Sequence, residues 1–248
     1  HPEFMRPMIE EVDGTIVECN TAYDGARDTT EKHEKLMAAH GWTEYFDVDI
    51  MDADGPSSDI IFPIENGRVL KENRVGGHLA NYASMLVLSH FKGHPMGGFG
   101  GALKQLSIGC ASNQGKVNIH SGSTTLNQGE FWDKHAEQDD FIEAMAEAAE
   151  TVVNHFGSNI AFVNIACNLS VDCDCCAVAE DPCMKDIGIF ASLDPVAVDA
   201  ACLDAVRNSD DPGRDTLLER ITSRHGEKII DDAVRLGYGS ADYELIEV

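Results

Sequence analysis

Short apolar runs alternate along the chain with segments in which apolar residues recur every three or four positions. The periodic pattern is clearest over Gln138–Phe156, where Phe141 and Met145 begin an apolar stripe and Gly157 follows as a stop signal. Ser84–Ser89 is a continuous apolar run, which is typical of a strand covered on both faces. The alternation predicts an α/β fold with a mostly parallel sheet flanked by helices.

The same patterns predict the remaining elements. Further strands are predicted at Thr15–Cys19, Phe46–Met51, Asp59–Ile64, Ile160–Ala166 and Ile187–Ala191. Further helices are predicted at Glu3–Val12, Thr29–His40, Thr216–His225 and Glu227–Leu236, and one more begins at Asp194-Pro195, a capping residue followed by proline.

The expected organisation is a single domain over residues 1–248. An alternative is two α/β lobes, 1–108 and 136–248, with a cleft between them and a joining loop at 109–135, which is rich in Gly, Ser, Asn and Gln. Because the chain begins at His1 rather than at a methionine, we expect an upstream segment to have been lost by truncation or processing.

Charge excludes several classes of partner. Lys plus Arg number 18 and Asp plus Glu number 43, so the formal net charge is −25. Such a chain is unsuited to nucleic acid, whose binding requires neutralised phosphates, and to anionic lipid. No apolar run reaches the roughly 18 residues of a membrane span, and we expect no secretory signal. We therefore expect a cytoplasmic protein with no nucleic acid and no membrane among its partners.

A glycine-rich segment begins where the apolar run at 84–89 ends. It carries two histidines, His90 and His94, and two lysines, Lys92 and Lys104. The glycines lie between His94 and Lys104, at Gly97, Gly98, Gly100 and Gly101. Ligands of open α/β sheets lie at the carboxyl ends of strands, and glycines let backbone N–H groups converge on an anion. The pattern predicts a site for an anionic small molecule, with His90 and His94 as metal ligands or proton carriers. The alternative is a loop that only turns a corner.

Cysteines are clustered. Five of the eight fall between positions 167 and 183, and Cys173, Cys175 and Cys176 lie almost adjacent to one another. Thiolates bind Zn²⁺ or iron, so these three predict a metal site, which Cys110 and His120 complete if the predicted loop folds back. The alternative is a set of reduced, partly buried thiols.

A third polar segment follows the first predicted strand. Its Asn20 and Arg27 are candidates for binding a carboxylate or phosphate; the alternative is a capped turn.

Two long stretches carry a family resemblance. SHFKGHPMGGFGGALKQLSIGCASNQGK, from Ser89 to Lys116, and CDCCAVAEDPCMKDIGIFASLDPVAVDAACLDAV, from Cys173 to Val206, resemble domain-of-unknown-function family 362. The resemblance extends from Pro2 to the closing GYGSADYEL. Members are often named iron–sulfur-centre proteins because many carry a two-cluster ferredoxin insert after the position of His120. This chain has no C-x-x-C-x-x-C there, so no ferredoxin-type [4Fe–4S] module is expected.

A shorter segment is similar to the His–Gly-rich–Lys loop of lactate-racemase-like proteins. Counting from His94, glycine stands at +4, an aromatic residue at +5, glycine at +7 and lysine at +10. The similarity implies an acid/base role for His94 and an anchoring role for Lys104.

The first interpretation is a metal-binding α/β protein with a cleft for an anionic small molecule, and with redox or proton-transfer chemistry. Whether it is a metal-dependent oxidoreductase or a racemase-like enzyme stays open. The alternatives are a non-enzymatic metal-binding or electron-transfer accessory protein that works with a separate ferredoxin, and a degenerate member without metal or ligand. A homo-oligomer is also compatible with the sequence.

Overall fold

Helix boundaries follow the capping and periodicity signals of the sequence. The structure is a computed structural model that describes residues 1–173 and 181–248. Thr29 accepts the N–H of Lys32 at the start of one helix, and Asp194 accepts two N–H groups at the start of another. The helices in these ranges are α1 (Pro2–Glu11), α2 (Thr30–Ala39), α3 (Ala102–Lys104), α4 (Asn113–His120), α5 (Gln138–Phe156), α6 (Pro195–Arg207), α7 (Arg214–Ser223) and α8 (Lys228–Leu236).

The strands form several small sheets in place of the expected single one. They are β1 (Ile16–Glu18), β2 (Val48–Ile50), β3 (Ile60–Pro63), β4 (Glu72–Val75), β5 (Met85–His90), β6 (Lys92–His94), β7 (Gly98–Gly100), β8 (Ile160–Ala166) and β9 (Gly188–Ser192). β1 pairs in parallel with β2, and β5 pairs in parallel with β8. β8 also pairs with antiparallel β9, while β3–β4 and β6–β7 are antiparallel pairs. The α/β class is confirmed, but the described strands form a mixed arrangement rather than a mostly parallel sheet.

Residues 109–135 are not the long loop that their composition predicts. They contain α4, which follows a π-helical segment at Gln105–Gly109, and most of α4 is buried. Ser112 caps α4 by accepting the N–H of Gly115. Gly115 lies so close to the backbone of β4 that a Cβ there would come within 1.9 Å of the carbonyl oxygen of Arg74. Close packing of α4 against β4, rather than an apolar stripe, thus explains why this segment forms a buried helix.

The predicted stripe of α5 forms the centre of the core. Phe141, Met145 and Val152 are almost fully buried, in one cluster with Phe162 of β8. Each such side chain contributes about 1.5–3 kcal/mol through burial of apolar area. None of the helices in residues 1–173 and 181–248 combines the length and the apolar composition needed to cross a bilayer.

His33 is a buried polar residue of α2 whose removal should stabilise the protein. Neither ring nitrogen has a hydrogen-bond partner among residues 1–173 and 181–248. Burial lowers the pKa of His33 to about 4, and the charges of Arg27 and Lys116 add to this lowering. A buried polar group without a partner costs about 1–3 kcal/mol. We expect His33→Leu to raise the free energy of unfolding by about 1 kcal/mol at pH 7, measured by urea denaturation. The exposed His40→Leu is the control, and a stability loss confined to His33→Leu would contradict the expectation.

Candidate functional site

The β6–β7 hairpin brings the glycine-rich segment under the residues that lead to the cysteine cluster. The N–H of Gly93 donates to the carbonyl oxygen of Ser170 over 2.9 Å. A Cβ at Gly93 would lie 1.9 Å from the carbonyl oxygen of Val171, so only glycine fits there. The hairpin therefore holds β6 against the backbone that leads to Cys173.

The glycine N–H groups that can be traced bond within the protein. Gly97 and Met96 both donate to Nδ1 of His94, over 2.9 and 3.1 Å. Gly98 and Gly100 belong to the hairpin strand β7, where Gly98 has a φ of 79° and packs against Gly226. The segment is a buried hairpin, and these N–H groups do not converge on an open site as the predicted anion nest requires.

Asp199 of α6 closes the other end of the glycine segment. Its carboxylate accepts the N–H groups of Ala102 and Leu103 over 2.7 and 3.0 Å, and the side-chain amide of Asn164 over 2.6 Å. A Cβ at Gly101 would lie 2.4 Å from this carboxylate. Burial raises the pKa of Asp199 to about 6, while its three donors oppose that rise. The start of α3 thus already holds an internal anion, at the place where the sequence predicts an external one.

His94 is nearly buried, with 6% of its surface exposed, and its protonation state follows from its contacts. Because Nδ1 accepts two backbone N–H groups, the ring proton resides on Nε2. The side chain of His94 also hydrogen-bonds Cys173, so Nε2 is the nitrogen that remains for the thiol sulfur. Burial lowers the pKa of His94 to about 4, with further lowering by Lys104 and Lys92 and an opposing effect of Cys173. His94 is therefore a neutral hydrogen-bond donor to Cys173 at pH 7.

Two lysines surround this pair. Lys92 belongs to β6 and is largely buried, with its Nζ near Gly100 of the opposite strand. Lys104 ends α3, and its charge lowers the pKa of His94. The structure thus brings together four residues that the sequence marks separately, and it joins the predicted anion site to the first residue of the predicted metal site.

His120 lies at the edge of the same cluster in a different tautomer. Its Nδ1 donates to the carbonyl oxygen of Lys116 over 2.7 Å, which leaves the lone pair on Nε2. Burial lowers the pKa of His120 to about 3, and the charges of Lys104 and His94 contribute to the lowering. The ring packs against Phe131 and Phe141.

The predicted metal set is only partly within the described residues. Cys175 and Cys176 lie outside them. Cys110 lies beside Lys116 and Glu18, and burial raises its pKa to about 12. Among residues 1–173 and 181–248, no group of three His, Cys, Asp or Glu side chains could hold a metal ion. The described residues do not by themselves fit a metal, and metal binding at the cysteines stays a prediction.

His90 lies at the carboxyl end of β5 and lines a large cavity. Its Nε2 donates to the carbonyl oxygen of Cys167 over 2.7 Å, which fixes the ring. The cavity has a volume of about 1350 Å³, and Lys92, Glu18 and Cys110 also line it. Glu18 ends β1, and His90 and Lys92 lie at or beyond the carboxyl end of β5, the end at which α/β proteins bind ligands.

Asn20 and Arg27 lie in a separate polar cluster beyond the carboxyl end of β1. Asn20 donates to Asp52 through its backbone N–H and its side-chain amide, over 2.9 and 3.0 Å. The side-chain oxygen of Asn20 is buried and has no partner in the part of the chain that the structure describes. Burial raises the pKa of Glu18, and the charges of Arg27 and Lys116 oppose that rise. The role of Asn20 and Arg27 as ligands for an anion stays a prediction.

Sequence reasoning missed two features of the site. Asp199 has the pattern of a buried helix residue, and nothing local shows that its carboxylate reaches the start of α3. Arg220 of α7 forms an ion pair with Asp172, the neighbour of Cys173. Both contacts join residues that are far apart in sequence, so local sequence patterns could not have predicted them.

The family model described as "Domain of unknown function (DUF362)" matches residues 1–204, which is most of the chain. No curated protein and no solved structure matches the chain.

Proposed function

The chain belongs to the DUF362 family, and we propose that it binds an anionic small molecule between Lys92 and Lys104 and exchanges a proton with it through Cys173. The observation that carries the proposal is the tautomer of His94, whose Nδ1 is held by two backbone N–H groups. This arrangement leaves Nε2–H as a donor to the sulfur of Cys173.

A donor aimed at the sulfur stabilises negative charge on it, because hydrogen bonds to a charged form stabilise that form, while the burial of Cys173 opposes this effect. The charges of Lys92 and Lys104 act in the same direction as the donor. His94 itself is a weak base at neutral pH, since its pKa lies near 4. The sulfur of Cys173 is therefore the atom that takes or gives the proton. His94 is a positioning residue rather than the acid/base residue that the similarity to racemase-like loops implies.

An anion needs a local positive region in a chain with a net charge of −25. Lys92 and Lys104 supply that region, and a charge-assisted hydrogen bond contributes about 1.5–3 kcal/mol. The loop similarity to lactate-racemase-like proteins supports a small carboxylate as the anion and proton exchange at a neighbouring carbon as the reaction. No step of this proposal passes through a metal.

The test is deuterium incorporation from D₂O into a panel of 2-hydroxy, 2-amino and dicarboxylic acids, measured by mass spectrometry. We expect the unmodified protein to label at least one acid at carbon. Cys173→Ser should lower the rate about 100-fold or more, as expected for a lost acid/base group. Lys104→Gln should raise the half-saturating concentration about 10-fold or more, as expected for one lost charge-assisted bond.

Cys202→Ala is the matched control, because Cys202 is fully buried on α6 and should leave the rate unchanged. The proposal fails if no acid is labelled, or if Cys173→Ser and Cys202→Ala behave alike.

A further inference from the structure

Helix α7 brings a charged side chain close to Cys173, although α7 lies outside the matched family region. The family model matches residues 1–204, and α7 spans Arg214–Ser223. Arg220 of α7 forms an ion pair with Asp172, the residue before Cys173. The two side chains are only 22% and 25% exposed, so this pair is better shielded from water than the exposed pairs that contribute little.

The end of α7 is packed against the hairpin that carries His94. A Cβ at Gly98 of β7 would lie 2.6 Å from the Cα of Gly226 and 3.0 Å from the carbonyl oxygen of Ile221. Gly226 donates its N–H to that same carbonyl oxygen over 2.8 Å. Because backbone rather than flexible side chains makes this contact, Arg220 and His94 are held in one close-packed unit.

The segment that carries Cys173 is held at three points. Gly93 of the hairpin donates its N–H to the carbonyl oxygen of Ser170 over 2.9 Å. The hydroxyl of Ser170 donates to the carbonyl oxygen of Asp172 over 2.7 Å. The third point is the ion pair with Arg220. The first two contacts order the backbone before Cys173, and the third fixes its neighbour relative to α7.

The ion pair also changes the charge near the sulfur. An unpaired Asp172 would place a carboxylate one residue from Cys173, where a like charge disfavours both a thiolate and a bound anion. Arg220 neutralises that carboxylate. The pair therefore favours the anionic chemistry of the site as well as its geometry.

We propose that Arg220 is a positioning residue of the candidate site and acts through Asp172. Its ion pair keeps the sulfur of Cys173 within hydrogen-bonding reach of Nε2 of His94. The inference rests on the proposed function only where it gives this contact a role in proton exchange, because the contact itself can be tested without a substrate. It assigns part of the site to the chain beyond the matched family region.

Hydrogen exchange at Nε2 of His94 measures this positioning. The Nε2–H proton of a buried ring exchanges slowly with water while it donates to the sulfur, and ¹H–¹⁵N spectra of histidine-labelled protein follow its exchange. We expect Arg220→Gln and Asp172→Asn each to accelerate this exchange about 10-fold, as expected for the loss of one hydrogen bond. Arg214→Gln is the matched control, because Arg214 lies on the same helix and pairs with the exposed Asp215.

Cys173→Ala separates positioning from general stability. Once the sulfur is absent, Arg220→Gln should accelerate the exchange by less than about 2-fold, since residues that act through one contact are not additive. Equal acceleration with and without the sulfur would overturn the proposal. So would unchanged exchange, or effects of opposite sign in Arg220→Gln and Asp172→Asn, because these two substitutions change the net charge in opposite directions. Asp172→Asn decides the outcome if Arg220→Gln does not fold.

Deuterium labelling of the carboxylic acids distinguishes this inference from the proposed function. We expect Arg220→Gln to lower the labelling rate about 10-fold, because the acid/base group is misplaced, while the half-saturating concentration changes less than about 2-fold. If no acid is labelled but exchange at His94 accelerates as expected, the proton-exchange proposal fails and the positioning of Cys173 stands. If acids are labelled and neither the rate nor the exchange responds to Arg220→Gln, the positioning inference alone is overturned.

Discussion

Asp199→Ala should lower the free energy of unfolding by about 3–5 kcal/mol, because each buried donor left without an acceptor costs about 1–3 kcal/mol. The substitution leaves the N–H groups of Ala102 and Leu103 and the amide of Asn164 without their common acceptor. All three donors lie near a carboxylate with no exposed surface, so water cannot replace it without rearrangement. Urea denaturation monitored by circular dichroism measures the loss.

Asp199→Asn is the matched variant, because its amide oxygen can still accept one or two of these bonds. We expect it to lose less than half as much stability as Asp199→Ala. Equal losses in the two variants, or a loss below about 1 kcal/mol in Asp199→Ala, would show that the carboxylate is not the acceptor that orders the start of α3.

Acidification should destabilise the protein strongly between pH 6.5 and pH 4. Burial lowers the pKa of His94 and His33 to about 4 and that of His120 to about 3. Between these values and 6.5 the unfolded chain binds more protons than the folded chain, so stability falls as pH falls. Once fully protonated in both states, His33 and His94 each contribute about 3 kcal/mol of this loss, and His120 contributes about 5 kcal/mol.

Asp199 acts in the opposite direction. Its pKa is raised to about 6, so the folded chain binds its proton first and gains stability as pH falls from about 6 towards 4. The three histidines outweigh this single group. Urea midpoints at pH 7, 5.5 and 4.5 measure the net effect, and His33→Leu should reduce the slope by about a third. A pH-independent midpoint, or one that rises on acidification, would contradict the buried neutral histidines.

The elements with strong local signals were predictable from the sequence. The boundaries of α5 and β8 agree with the prediction at both ends, because each is a long apolar pattern with a clear stop. The cap at Asp194 was also predictable, since capping depends on neighbouring residues alone. The prediction of a mostly parallel sheet failed because strand pairing depends on contacts between distant segments, which a period of two does not encode.

The residues of the candidate site could be predicted from the sequence, but their arrangement could not. The sequence marks His94, Lys92, Lys104 and Cys173 as chemical residues, but it assigns them to two separate sites. Their convergence depends on Gly93 packing against Val171, a contact that no spacing rule contains. The glycine run predicts an open nest because its composition is the same whether its N–H groups face a ligand or, as in the structure, His94 and a hairpin partner.

The proton position on His94 is the central claim, and ¹⁵N NMR of histidine-labelled protein measures it directly. We expect the His94 signals to show Nε2 protonated and Nδ1 unprotonated from pH 8 to pH 5, with titration only near pH 4. Cys173→Ala should lower that pKa further, because Cys173 opposes the effect of burial, and the other histidines should serve as internal references. A proton on Nδ1, or a His94 that titrates near pH 6.5, would contradict the account.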